Sequence, residues 1–214
     1  MIKITRLPKP GVLDRHQKAW TRALLAAGSD ADKRRWEKKY RHREIKDVLV
    51  SMFRGKCAYC ESKISHIEYG HIEHFRPKSR FLELTFEWSN LLLSCPICNG
   101  SEYKGDRFPE EHEGGPLINP CVDTPDEHLE FVFDPIAKLA TVIGKTPRGT
   151  ITEVLLGLNR NDLRAYRSKH ISRLFVLASY AETDPVAKEL LVEACKADSE
   201  YAAFARVIAD ELGL

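Results

Sequence analysis

Two Cys-x-x-Cys pairs, Cys57-Ala58-Tyr59-Cys60 and Cys95-Pro96-Ile97-Cys98, constrain this chain more than any other feature. Each pair is a knuckle that presents two thiolates from one tight turn, and two knuckles complete a tetrahedral four-sulfur zinc site. A redox dithiol accounts for only one pair and leaves the other idle. Cys121 and Cys195 stand alone and read as small packing residues. The 34 residues between Cys60 and Cys95 exceed the spacing of a simple zinc ribbon, so a further element is built between the knuckles.

The stretch around that site reads as soluble protein. With 214 residues, 43% of them hydrophobic, the chain has enough apolar side chain for a sizeable core. No run approaches the roughly 18 apolar residues of a membrane span, and the N-terminal MIKITRLPKPGVLDRH lacks an export signal's apolar centre. The expectation is a cytoplasmic protein with reduced thiols and no membrane partner. The net charge of +2 conceals an asymmetry: residues 1–56 hold 16 Lys/Arg against 6 Asp/Glu, and the remainder holds 17 against 25. A basic N-terminal third is expected to meet a polyanion, because clustered cations release counterions from phosphates. The alternative is a solvated helical face.

Periodicity divides the chain into three expected parts: a basic helical region over 1–56, a zinc-held module over 57–109, and a loop and strands followed by helices over 110–214. The first helix runs from Leu13 to Ala27. Ser29 and Asp32 open a second, whose stripe of Trp36, Tyr40, Ile45, Val48, Leu49, Met52 and Phe53 continues to Gly55. LEFVF at 129–133 and LATVI at 139–143 read as strands. Tyr166, His170, Ile171, Leu174, Phe175 and Ala178 form one late helical stripe, and Tyr201, Phe204, Val207, Ile208 and Leu212 form another. Asp184-Pro185 marks a helix start between them. Gly144-Lys145-Thr146 is not a P-loop, since Leu139 stands where its first glycine belongs.

Between the knuckles lie His71, Glu73 and His74, then Asn90, with Asn99 directly after the second knuckle and Lys104 and Arg107 beyond. Taken alone, the two histidines and the glutamate are open to three readings: a zinc ligand in place of a cysteine, a solvent-facing strand, or a catalytic group. The ordered set of Cys57-x-x-Cys60, Ile72-Glu73-His74-Phe75-x-Pro77, Trp88-Ser89-Asn90-Leu91, Cys95-x-x-Cys98-Asn99 and Lys104-Gly105 resembles the HNH endonucleases with a zinc-bound ββα-metal core. CAYCESKI, IEHFRPKS, PLINPC and GLNRNDL, with helical flanks, are further similar to the PtuB-type effectors of Septu and retron anti-phage systems.

The resemblance implies a mostly helical α+β fold around a central nuclease module that hydrolyses nucleic-acid phosphodiesters. It implies His74 as general base, Glu73 and Asn99 as ligands of a catalytic Mg2+ or Mn2+, and Asn90 as the residue holding the base's loop. Zn2+ on Cys57, Cys60, Cys95 and Cys98 is structural. Glu73 occupies a position that is usually aspartate in the family; glutamate is one methylene longer, so the metal is expected to sit slightly differently. Lys104 and Arg107 are expected to contact phosphates. His71 shares the Glu73 face of a strand and reads as a phosphate or metal-shell contact, or as a plain surface histidine. Lys78 and Arg80 are either phosphate contacts or solvated charges. The implied partners are DNA or tRNA as substrate, a PtuA-like ATPase, and in a retron setting a reverse transcriptase with its msDNA. Two other functions compete: a zinc-knuckle module that binds nucleic acid without cutting it, and a stand-alone restriction-like nuclease.

Overall fold

The structure, a computed structural model, describes residues 1–64 and 70–213, and the chain divides into two compact units. One comprises Ile4–Ala58 and Ile64–Phe108; the other comprises Met1–Lys3, Tyr59–Lys63 and Pro109–Leu214. None of the described helices is long and apolar enough to cross a membrane.

In the first unit, helix α1 (Gly11–Leu25) buries Val12, Leu13 and Leu24. The expected second helix is broken in two. α2 (Asp30–Glu37) opens on Ser29, whose hydroxyl accepts the Asp32 amide as the sequence suggests, but it buries none of its residues. It tightens into a 3-10 turn at Lys38–Arg41. His42 then leaves helical geometry at ψ 137°, and its ring nitrogen accepts the Glu44 amide to start α3 (Arg43–Met52). α3 carries the real stripe, burying Ile45, Leu49 and Met52.

Strands β1 (His71–His74) and β2 (Leu91–Ser94) pair antiparallel, with His71 opposite Ser94 and His74 opposite Leu91. The short helix α4 (Pro96–Asn99) follows directly, which completes the ββα order. β2 is buried along its whole length and packs against α3. Gly70 enters β1 at φ +64°, the left-handed backbone conformation that favours glycine, and a Cβ there would also push on Ile64 Cδ1 at 2.6 Å. The N-terminal segment braces the long β1–β2 connection: the Arg6 guanidinium donates to the carbonyls of Trp88 at 2.7 Å, Leu91 at 3.0 Å and Ser89 at 3.1 Å.

In the second unit, α5 (Pro125–His128) leads into β3 (Leu129–Asp134), which pairs antiparallel with β4 (Leu139–Gly144). Both strands fall where alternation placed them. Helices α6 (Pro147–Leu155), α7 (Asn161–Ala178), α8 (Pro185–Ala194) and α9 (Ala202–Glu211) follow, and Asp184 caps α8 through the Val186 and Ala187 amides. The expected stripe on α7 needs correction. Tyr166 is 56% and Phe175 38% exposed, whereas the inward face carries Leu163, Arg167, Ile171 and Ala178. Arg167 is tolerated inside because its guanidinium donates to Ala140 O at 2.7 Å, Leu158 O at 2.8 Å and Asn159 Oδ1 at 3.0 Å. The Gly-Lys-Thr run lies between β4 and α6, where Thr146 caps its own helix by accepting the Gly149 amide and Lys145 donates to the Asp126 carbonyl.

Candidate active site

The four knuckle cysteines converge. All are buried, and their sulfurs lie within 4.8 Å of one another. A tetrahedral zinc with Zn–S bonds near 2.3 Å needs sulfurs about 3.8 Å apart, so the cluster closes on zinc with only small rotations. Local bonds set its shape: the Cys98 amide donates to Cys95 Sγ at 3.3 Å, and the Ala58 amide ties the first knuckle to Leu93 O at 2.8 Å. All four zinc positions being cysteine, no histidine is required to fill one.

Strand alternation sends Glu73 and His74 to opposite faces of β1. His74 is 7% exposed, with Nε2 2.9 Å from the Thr85 carbonyl. Nε2 must therefore carry the proton and donate, which leaves the lone pair on Nδ1. The Tyr40 ring stands edge-on to the imidazole, with centroids 4.6 Å apart. Burial pushes the His74 pKa down to about 4, with nearby Lys78 and Lys104 adding to the shift and the Thr85 bond opposing it. The imidazole is consequently neutral at pH 7, the state in which it accepts a proton.

Asn90 fastens the connection that follows His74. Its Oδ1 accepts the Arg76 amide at 2.7 Å, and its Nδ2 donates to Arg76 O at 3.0 Å and Leu84 O at 3.3 Å. These bonds join the chain just after β1 to the chain just before β2.

Glu73 is 3% exposed and meets Lys104, which is fully buried, at 2.5 Å between Oε1 and Nζ. The ammonium also donates to the His74 carbonyl at 3.0 Å. Lys104 is thus held inside the module, clamping both residues that the sequence singles out, and its charge is not presented to a nucleic-acid backbone. Arg107 is exposed, and its guanidinium donates to Glu102 O at 2.6 Å in the turn after α4. His71 is exposed at the open end of β1, and Asn99 Nδ2 lies 3.5 Å from its Nδ1. Desolvation raises the Glu73 pKa to about 7 against the lowering pull of Lys104. Oε1 is the oxygen that the Lys104 ammonium holds. A carboxylate and a side-chain amide are oxygen donors of the kind a hard divalent cation takes, and Glu73 would have to release Lys104 to offer its Oε1 to one.

The two shifts have opposite consequences for stability. His74 in the folded chain titrates below its ordinary 6.5, so the unfolded chain gains its proton first and stability falls as pH drops from about 6.5 to 4. Glu73 titrates above its ordinary 4.5, so the folded chain gains its proton first and stability rises as pH drops from about 7 to 4.5. Between pH 7 and pH 5 the two act with opposite sign, each on the order of 2 kcal/mol. Glu73→Gln removes one side of that balance. Denaturant titrations without magnesium or manganese should show wild type gaining about 2 kcal/mol on Glu73→Gln between pH 7 and pH 5. A constant difference would contradict the buried, raised carboxylate.

Sequence reasoning missed Tyr40, Thr85 and the support role of Lys104. In sequence Tyr40 reads as part of an apolar helix stripe, and no local signal ties it to a histidine 34 positions on. Thr85 contributes only its carbonyl, which sequence does not reveal.

Residues 57–105 match the family model for HNH endonuclease. The chain is 32% identical over 191 residues to the Septu protein PtuB of Bacillus mycoides (strain KBAB4), covering 71% of this chain and 63% of that protein. It is 35% identical over 167 residues to the Septu protein PtuB of Bacillus thuringiensis, covering 78% of this chain and 58% of the relative. A third similarity, 25% over 179 residues, is to the Septu protein PtuA of the same Bacillus mycoides strain; it covers 70% of this chain but 24% of that protein. The chain spans about three-fifths of the PtuB relatives it matches.

Proposed function

We propose that this chain, whose residues 57–105 form an HNH endonuclease module, is a metal-dependent nuclease that hydrolyses nucleic-acid phosphodiesters as the effector of an anti-phage defence complex. The observation that carries the reading is a buried, neutral His74 whose Nε2 is fixed on Thr85 and whose backbone carbonyl is clamped by Lys104. In the reaction, Nδ1 of His74 takes a proton from the attacking water, and Asn90 keeps the loop behind it in place. Glu73 and Asn99 would hold a divalent ion, which when bound supplies charge stabilisation at the scissile phosphate and the leaving oxygen. Arg107 is placed at the exposed turn beyond α4, where it would meet a flanking phosphate.

The defence role is supported by the similarity to Septu PtuB proteins. A PtuA-like ATPase is the proposed partner: proteins named PtuA and PtuB from one strain both share sequence with this chain, whose own Gly-Lys-Thr lacks the P-loop pattern. A retron reverse transcriptase with its msDNA is the alternative assembly. The test is cleavage of plasmid DNA and of total tRNA, assayed separately with magnesium and with manganese, with and without a PtuA-type subunit. Metal-dependent cutting of one substrate is the expected result. Binding without cutting under every condition would leave the silent zinc-knuckle module as the better description.

A further inference from the structure

Beside the catalytic strand lies an open groove of about 500 Å3 whose lining includes Tyr40, Arg41, Lys46, His71 and Asn99, with no carboxylate among the described residues that line it. Three of those residues come from outside the matched nuclease module. Tyr40 and Arg41 end the 3-10 turn at Lys38–Arg41, and Lys46 stands on α3. We infer that this groove seats the backbone phosphate next to the scissile one, with Arg41 as its principal cationic contact and Tyr40 as the residue that positions it. The inference rests on the nuclease reading above and assigns part of that site to the N-terminal helices.

The geometry is cooperative. Arg41 Nε donates to the Tyr40 hydroxyl at 3.3 Å, and the guanidinium lies 5.6 Å from the centre of the Tyr40 ring. The same ring abuts His74 edge-on, so one side chain links the base to the cation. Lys46 reaches across to Gly70 O at 2.6 Å, which fixes a second positive charge at the entry to β1. His71 and Asn99, 3.5 Å apart, form the opposite side. A phosphate in the groove would therefore meet a guanidinium, an ammonium and an amide, while its neighbour along the strand lies toward His71 and the catalytic face. The break in the second helix explains why the turn is there: extended backbone at His42 ends the 3-10 turn with Arg41 exposed beside the groove. A continuous helix through 30–53, as periodicity suggests, would place the side chains differently.

The experiment is equilibrium binding of a fluorescein-labelled oligonucleotide to the zinc-loaded chain, titrated over a range of salt without magnesium or manganese, so that nothing is cut. Duplex DNA, its single strand and an RNA of the same sequence serve as probes. Arg41→Gln should weaken binding about 5- to 10-fold near 0.1 M salt and reduce the log–log salt slope by about 0.7–0.9, the value of one phosphate contact. Tyr40→Phe keeps the ring but removes the hydroxyl that receives Arg41, and should give an intermediate loss. Arg34→Gln, on the exposed face of α2, removes the same charge away from the groove and should change affinity less than about 2-fold. An Arg41→Gln slope equal to wild type, an equal effect from Arg34→Gln, or no salt-dependent binding by wild type would each overturn the assignment. Failure of the nuclease reading looks different: the groove effects would be present in this assay while no metal restores cutting.

Discussion

A Cys98→Ser chain is expected to lose its zinc and most of the stability of the nuclease module. Cys98 is fully buried and sits within 4.8 Å of three other cysteine sulfurs. Structural zinc in small modules binds with about 10–16 kcal/mol of apparent free energy, and that binding energy is folding energy. Here β1, β2 and α4 add only twelve residues of regular structure, and the thiolate cage is what ties α4 to the first knuckle. Losing one of four ligands should remove at least about 4 kcal/mol, a large share of the 5–15 kcal/mol typical of a domain. Metal analysis should fall from one zinc per chain toward none, and the thermal transition should broaden and drop. Cys121→Ser, on a half-buried residue outside the cluster, should keep its zinc and change stability by about 1 kcal/mol or less. A Cys98→Ser chain as stable as Cys121→Ser would show that the four sulfurs do not hold a structural metal.

The second large effect is on rate. His74→Ala removes the group proposed to take the proton from water, and loss of a positioned general base costs typically 10²- to 10⁴-fold. It also strips the ring from the Tyr40 edge contact and leaves the Thr85 carbonyl without its donor, a cost of about 1–3 kcal/mol in stability. His74→Gln separates the two consequences. Its amide nitrogen reaches the Nε2 position and can still donate to Thr85 but cannot act as a base, so stability should recover toward wild type while cleavage stays low. Equal cleavage by His74→Gln and wild type would remove the base from His74.

Features set by short-range spacing were legible in the sequence. The two knuckles, the β3–β4 pair and the Asp184 cap each depend on residues within a few positions of one another, and the structure places them where the pattern does. Features set by long-range contacts were not. The split at His42 follows from extended backbone at that residue, ψ 137°, where α2 ends having buried none of its residues, which amphipathic counting over 30–53 cannot register. The inward face of α7 keeps Ile171 and Ala178 of the expected stripe but adds Arg167, whose satisfaction by Ala140, Leu158 and Asn159 is visible only once the fold brings those groups together. Lys104 is the same case within the site. A lysine after a knuckle reads as a phosphate contact, yet it lies fully buried against Glu73 and the His74 carbonyl. Charge is cheap to carry on a surface and costly inside, so a buried lysine runs against the prior that sequence reading relies on.

The central claim is that residues 57–105 cut phosphodiesters by way of His74. Its most direct test is single-turnover cleavage, with magnesium or manganese, of whichever nucleic acid wild type cuts, comparing wild type with His74→Ala at one zinc per chain each. The account predicts metal-dependent cutting by wild type and a rate at least about 100-fold lower in the variant. Cutting at the wild-type rate by a zinc-loaded His74→Ala chain would contradict it.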